Sequence, residues 1–340
     1  MRRICAPIVN EAGVALALTL VLLTLVAVLV LELNYLVRVD IHAATNFRDS
    51  MRGYYLAKSG VTVAKMLFSR KIQELEELKR GLLAGGQHSL PFGEDLLTLR
   101  VTDEGGKINL NALVSQTDTP QPSSPQGRPP PDNPWIQIGQ DLFQRLGIDP
   151  TLVGAIKDWV DQDDLATGGG GAESSYYRGL EKPYTARNGP METMGELRLI
   201  RGFTDEVFLK LGAKRVGGIV DPTTNAYLTV LPTQPGAMWK VNLNTAPPLI
   251  LASLTGEVGQ FAELIVQQRS KAWIEKMGDL QQLGITGVAF NDFNRRGTLT
   301  STYYLLDARG TVGEITKQVT ALLKAGGEQG GGQILYWRVQ

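Results

Sequence analysis

Histidine, cysteine and excess charge are the scarce features of this 340-residue chain. A single cysteine, Cys5, excludes an internal disulfide and a cysteine-ligated zinc site. Two histidines, His42 and His88, lie far from the acidic residues discussed below and leave little material for imidazole catalysis or metal binding. Lysine plus arginine equal aspartate plus glutamate at 34 each, so the chain lacks the broad cationic field that general phosphate binding needs. No nucleic acid is expected as a partner. Gly-x-Ser-x-Gly, phosphate-loop and histidine-metal motifs are absent, and no sequence feature builds the fixed carboxylate pair across a cleft that glycosidase chemistry requires. The chain reads as a non-enzyme.

What the chain does have is a break in its average at the N-terminus. Ala12 to Leu31 carries no charge and is almost wholly aliphatic. As a helix that run spans roughly 28 Å, enough for one bilayer crossing. Arg2 and Arg3 precede it, so the leader stays on the cytoplasmic side and the body is sent across. A cleavable secretory signal has a shorter apolar region ending in small residues, whereas this run passes directly into a polar helix. Between Pro7 and Pro91 there is no proline. Leu36, Val39, Ala43, Phe47, Met51, Tyr54, Ala57, Val61, Ala64, Leu67 and Phe68 recur at helical spacing, so span and amphipathic helix read as one continuous element. Gly53 and Gly60 weaken it by about 1 kcal/mol each relative to alanine, and a local bend there is compatible with the pattern.

Beyond the helix, LLTLRVTD, Glu104-Gly105-Gly106 and KINLNAL read as a hairpin over 90–113 with a glycine turn. Residues 115–134 are rich in proline, serine and glutamine and read as a disordered loop. Helical patterning follows at 135–163, 193–211, 247–254, 260–269 and 274–283. From Thr298, three segments rich in threonine, valine and aromatics predict antiparallel strands, the last pair joined through GGEQGGG. The expected fold is α+β: a pilin-like long N-terminal helix packed on an antiparallel sheet, with a large inserted helical domain of helix-hairpin-helix or SAM-like type. The expected division is 1–13 leader, 14–80 helix, 81–110 first part of the sheet domain, 111–295 helical insertion and 296–340 the remaining strands.

The chain also carries an internal echo. INLNAL at 108–113 recurs as VNLNTA at 241–246, and each copy is followed by helices and a Leu-Gly-Ile, at 146–148 and 283–285. The second copy, VNLNTAP through LQQLGI, resembles the duplicated helix-hairpin-helix unit of competence-type DNA receptors, which are membrane-anchored and extracytoplasmic. Such hairpins hold phosphate on glycine N–H groups at a helix N-terminus. Here Leu254-Thr255-Gly256-Glu257 puts a carboxylate where phosphate would lie, and Ile200-Arg201-Gly202-Phe203 offers only one glycine. A periplasmic DNA receptor is therefore the alternative reading of the same elements.

The short basic leader ending at Gly13, immediately before the apolar run, resembles a type IV prepilin leader, and that resemblance implies cleavage between Gly13 and Val14 by a prepilin peptidase. The fifth mature residue is then Leu18, where such proteins usually carry a glutamate thought to neutralise the N-terminal amine of the subunit ahead. An unpaired ammonium in hydrocarbon is costly, so a subunit without that carboxylate suits the leading position of a fibre. Taken with GYYLAKSGV, KINLNAL, AIKDWVDQDD, GGAESSYY, PYTARNGPMETMGELRLIRGF and VNLNTAPPLILASL, the chain resembles the type II secretion minor pseudopilin K family, also called general secretion pathway protein K. The resemblance implies a single-pass bacterial inner-membrane protein with a periplasmic body. It would sit at the pseudopilus tip with minor pseudopilins I and J and on the major pseudopilin fibre, initiating or capping assembly for export across the outer membrane.

One constellation carries chemistry. Asp158, Asp161, Asp163 and Asp164 crowd a helix C-terminus, where negative charge opposes the dipole, and Gly168–Gly171 and Glu173 follow. A hard divalent cation, calcium, would compensate. The spacing is not that of an EF-hand loop. Ion pairs with Arg178, Lys182 or Arg187, or simple solvation, are the alternatives, and Asp292 and Asp307 are lesser candidates.

Overall fold

The computed structural model describes residues 11–69, 73–84, 86–114, 133–233, 238–255, 260–326 and 331–340. Within them α1 (Glu11–Ser69) runs without interruption through both Gly53 and Gly60. Its two halves meet different surroundings. Large apolar residues from Val14 to Phe47 are exposed, whereas Ala57, Val61, Ala64, Leu67 and Phe68 are buried against the sheet. The glycines explain themselves there. A Cβ on Gly53 would lie 2.9 Å from the Gly310 carbonyl oxygen, and one on Gly60 would lie 2.8 Å from Leu97 Cδ1. Contact with the sheet, not a bend, is why helix-weakening glycine is present.

After a short α2 (Glu76–Leu83), β1 (Gln87–Phe92) and β2 (Asp95–Asp103) form a hairpin about Gly93, whose φ is 65°. Pro91 sits in β1, an edge strand, where the lost N–H disturbs no ladder. The hairpin expected over 90–113 is thus displaced toward the N-terminus. LLTLRVTD pairs with the residues before it, and Glu104–Gly106 is a buried 3-10 turn in which Asp103 accepts from the Gly105 N–H at 2.8 Å. KINLNAL contributes only β3 (Ile108–Asn109), and Ile108 and Leu110, assigned from sequence to the sheet segment 81–110, lie in the core of the helical body. Burial among helices outweighed the alternation of that segment.

The helical body contains α3 (Pro134–Arg145), α4 (Leu152–Val160), α5 (Ser174–Arg178) and α6 (Asp205–Lys210). Short strands β4 (Lys214–Val216), β5 (Ile219–Asp221), β6 (Leu228–Thr229) and β7 (Val241–Asn242) follow. Then come α7 (Pro248–Thr255), α8 (Gln260–Lys271), α9 (Asp279–Gln282), α10 (Gly287–Arg296) and β8 (Gly297–Thr298). Two helical expectations shrink. Residues 193–211 are a 3-10 helix and α6, parted at Gly202 with φ 83°, and of 274–283 only α9 is helical. The β4–β5 hairpin, which was not read from sequence, turns on Gly217-Gly218, a turn signal lying between the helical segments. The loop read at 115–134 lies mostly outside the described residues, as does Glu257.

The echo proves to be structural. Asn111 donates from Nδ2 to Met191 O and accepts from Met191 N, while Asn244 does the same with Ile274 O and N. Ile108–Asn109 pairs in parallel with Leu228–Thr229, and Val241–Asn242 with Gly297–Thr298. Each Leu-Gly-Ile ends a helix on a positive-φ glycine, Gly147 at 64° and Gly284 at 82°.

Three long strands close the chain: β9 (Tyr303–Val312), β10 (Ile315–Lys324) and β11 (Gln333–Val339). The sheet order is β1-β2-β9-β10-β11, antiparallel throughout, so the whole helical body is an excursion between neighbours β2 and β9. This is the α+β arrangement expected from sequence. Asp103, the last residue of β2, knots sheet to body: its Oδ2 accepts from Asn242 Nδ2 at 2.8 Å, Thr245 Oγ1 at 2.6 Å and Ser301 Oγ at 2.7 Å.

Candidate metal centre and exposed helix

The acidic cluster forms where α4 stops. Asp158 is on the last turn, fully buried, with its two carboxylate oxygens accepting the Thr167 N–H at 3.0 and 3.1 Å. Asp161 is the residue after the helix, 2 % exposed, with its N–H closing the turn on Lys157 O at 2.8 Å. Its Oδ2 lies 3.7 Å from Lys157 Nζ, the i,i+4 partner one turn back. Asp163 Oδ1 accepts from Leu165 N at 2.8 Å, and Asp164 Oδ1 accepts from Asn188 Nδ2 at 3.3 Å. Asn188 has φ 48°, alone among described non-glycine residues in the left-handed region. Arg187, named from sequence as a balancing cation, is engaged with Glu192 and Glu196 instead.

Glu173 returns to the cluster at the start of α5. It is 3 % exposed, yet neither carboxylate oxygen has a hydrogen-bond partner. Carboxylate oxygens of Asp161, Asp163 and Glu173 lie within 4.8 Å of one another. Burial, and after it the charges of Asp158, Asp161, Asp164 and Asp163, push the Glu173 carboxyl up to about 7. Oxygens at such separations match a cation held by bonds of about 2.4 Å, and an orphaned buried carboxylate is what such an ion satisfies. Of the five residues named from sequence, the structure therefore gathers three around one point. Asp158 fixes the Thr167 backbone, and Asp164 is turned to Asn188. Asp292 is paired with Arg296, and Asp307 with Gln318 and Arg309, so neither joins the cluster.

The glycine run is tightly packed. A Cβ on Gly171 would collide with Asp158 Oδ2 and with the Thr167 backbone, and one on Gly170 with Thr151. Arg201 fixes the same strand of chain by donating to Gly171 O at 3.1 Å, while its guanidinium lies 5.1 Å from the Tyr176 ring centre. Behind the cluster, Trp159 meets Tyr177 edge-on at 5.3 Å, and Tyr177 stacks on Tyr184 at 5.1 Å. From sequence, neither Lys157 nor Asn188 was singled out, and Arg201 was read in a candidate phosphate turn instead of beside the cluster. Only Lys157 left a trace, its four-residue spacing from Asp161.

The second feature is the uncovered half of α1. Gly13, Val14 and Leu18 all lie on it and are exposed. The helix is long and apolar enough to cross a membrane. Where its free half reaches the sheet, Phe47, Met51, Tyr55 and Phe92 line an open groove of about 770 Å³ bordered by the Arg52–Asp95 ion pair at 2.8 Å.

Comparison with known proteins bears on both features. The family model for type II secretion system protein K matches residues 106–213, which include the whole acidic cluster. Several type II secretion K proteins resemble this chain over a large part of its length. The chain is 24 % identical to type II secretion system protein K of Aeromonas hydrophila over 287 residues, 81 % of each chain. With the Pseudomonas aeruginosa K protein it shares 26 % over 289 residues, covering 81 % of this chain and 78 % of that one. A putative K protein of Escherichia coli K12 is 34 % identical over 108 residues, about three-tenths of each chain (31 and 30 %). The fold is similar to a chain in the crystal structure of the GspK–GspI–GspJ complex of the enterotoxigenic Escherichia coli type 2 secretion system, with a TM-score of 0.60 at 20 % identity over 89 % of this chain and 98 % of that one.

Proposed function

We propose that this protein is a non-enzymatic minor pseudopilin seated at the tip of the type II secretion pseudopilus, where it initiates and caps the fibre used for export across the outer membrane. The observation that carries the reading is the division of α1. Its distal part is sealed by the chain's own sheet, while every large apolar residue from Val14 to Val39 is exposed, with nothing among the described residues to cover it. Either the inner membrane or a bundle of like helices must bury that surface, and a fibre subunit uses the two in turn. Pseudopilins I and J are the partners, by analogy with the complex in which the similar fold was solved, and the major pseudopilin lies below them.

The proposal includes cleavage after Gly13 by the prepilin peptidase, a periplasmic body, and a terminal position made tolerable by Leu18 in place of a carboxylate. The bulk of the helical body, hung between β2 and β9, would block a further subunit from stacking ahead. Calcium belongs to the same reading. Asp161, Asp163 and Glu173 would hold it, and when bound it supplies positive charge that joins the end of α4 to the start of α5. Asp158 and Gly171 keep those two segments at the necessary distance. DNA reception has less support, because Arg201, the cation of the second candidate turn, is already occupied by Gly171 O and Tyr176.

Co-expression of the full-length chain with the I and J pseudopilins of its own secretion system, followed by detergent extraction and affinity capture, tests the reading. A stoichiometric ternary complex carrying a chain that begins at Val14 is expected. Capture of neither partner, or a mature chain that still begins at Met1, would overturn it.

A further inference from the structure

The metal reading leaves one contact unexplained. Asp161, a ligand in that reading, already faces a cation: Lys157 Nζ stands 3.7 Å from its Oδ2. The lysine is held there by geometry. It is one turn back on α4, its side chain is about four-fifths buried at 21 % exposure, and its ammonium also reaches Thr167 Oγ1 at 3.4 Å. Thr167 in turn gives its N–H to Asp158. The ammonium is thus fastened to the loop that frames the cluster, instead of extending into solvent as an exposed lysine would.

We infer that Lys157 is a tethered competitor of the divalent cation, lowering the affinity of the site for calcium while stabilising the site in the cation's absence. The inference rests on the metal reading above. The ammonium does not satisfy Glu173, whose oxygens stay without a hydrogen-bond partner, so it does not substitute for a metal. It does partly neutralise Asp161. When a doubly charged ion binds Asp161, Asp163 and Glu173, a single positive charge remains within about 6 Å of it, or must swing away. Even at the dielectric constant of water, charges of +2 and +1 at about 6 Å repel enough to weaken binding about tenfold, or about 1.4 kcal/mol. The contact is closer to a threshold device than to a structural ion pair. A cluster of this acidity without the lysine would fill at lower calcium, and with it the site responds to the higher concentrations found outside the cytoplasm.

The test uses the full-length protein in detergent, stripped with chelator and titrated with calcium chloride by calorimetry, with thermal melts recorded in chelator and in saturating calcium. Lys157→Gln should lower the calcium Kd about tenfold. Its melting temperature should fall slightly in chelator and equal or exceed that of the unmodified protein in saturating calcium. Lys157→Arg, which keeps the charge, should leave Kd within about threefold of the original. A lysine that merely packs the loop would make the Gln variant weaker in both conditions. Unchanged or weaker calcium binding by Lys157→Gln, in a protein whose unmodified form binds, overturns the competitor. Should Lys157→Gln fail to fold, Lys157→Met is read in its place by the same criteria. Absence of any calcium heat in the unmodified protein, with Asp161→Asn indistinguishable from it, overturns the metal reading itself and the inference with it.

Discussion

Replacing Asp103 by alanine should loosen the joint between sheet and helical body more than any surface change of similar size. The carboxylate ends β2 and accepts four hydrogen bonds: from Gly105 N at 2.8 Å, Asn242 Nδ2 at 2.8 Å, Thr245 Oγ1 at 2.6 Å and Ser301 Oγ at 2.7 Å. It is buried, and burial pushes the carboxyl upward from its ordinary range against the pull of those donors. Truncation leaves several donors without an acceptor. Two have local alternatives: Thr245 Oγ1 lies 3.5 Å from Asn242 O, and Asn242 Nδ2 also reaches Ser301 Oγ at 2.9 Å. Charge-assisted bonds contribute about 1.5–3 kcal/mol each and a stranded buried donor costs about 1–3, so with partial rescue a loss of about 3–5 kcal/mol is expected. That corresponds to a fall of about 6–20 °C in Tm for a body of this size. Asp103→Asn, isosteric but turning an N–H toward donors, should lose about 1–3 kcal/mol. Thermal melting of the detergent-solubilised chain, followed by near-ultraviolet circular dichroism, reads both. Because the donors come from both sides of the joint, the alanine variant should also broaden or split the transition as the two cores uncouple. A single transition shifted by less than about 1 kcal/mol would refute the reasoning.

Three further outcomes are expected. Gly53→Ala raises helix propensity by about 1 kcal/mol but sets a Cβ 2.9 Å from the Gly310 carbonyl oxygen, so it should destabilise by about 1–3 kcal/mol in denaturant melts; a stabilised variant would refute the close contact. In chelator, Glu173 has an ordinary value of 4.5 and a folded one of about 7, so between those values the folded chain holds a proton that the unfolded chain has lost. Stability contributed by this group must then fall as pH rises from about 4.5 to 7 and level off above; the slope should vanish in Glu173→Gln and be offset by calcium, and its persistence in that variant would assign it elsewhere. Leu18→Glu restores the carboxylate that fibre-shaft subunits carry, and immunogold labelling of surface-assembled fibres should then find the protein along shafts; labelling still confined to one end counts against the role given to Leu18.

How much of this was legible beforehand depends on the range of the interaction responsible. The span, its continuity with the following helix, the three C-terminal strands and the acidic cluster are local patterns, set by periodicity and composition over ten to sixty neighbouring residues. The strand pairing of LLTLRVTD was not, since β1 with His88 and Pro91 carries little strand propensity and is held by its register with β2. Nor was KINLNAL, whose alternation suits a strand edge but whose Ile108 and Leu110 find a deeper core among helices. The cluster was located but not sorted, because which carboxylates converge depends on the turn after α4 and on Asn188, 24 residues beyond Asp164.

By itself, then, the sequence determined an apolar N-terminal helix, an α+β chain with an inserted helical segment, and an acidic patch in need of positive charge. Each of these follows from side-chain chemistry along a short stretch of chain. Only the tertiary structure decided why Gly53 and Gly60 interrupt that helix's composition, which three carboxylates share one point, that Lys157 stands among them, and that Asp103 ties the two cores together. Those depend on residues brought together from distant parts of the chain, such as Asp103 and Ser301, where burial makes a hydrogen bond or a charge matter most.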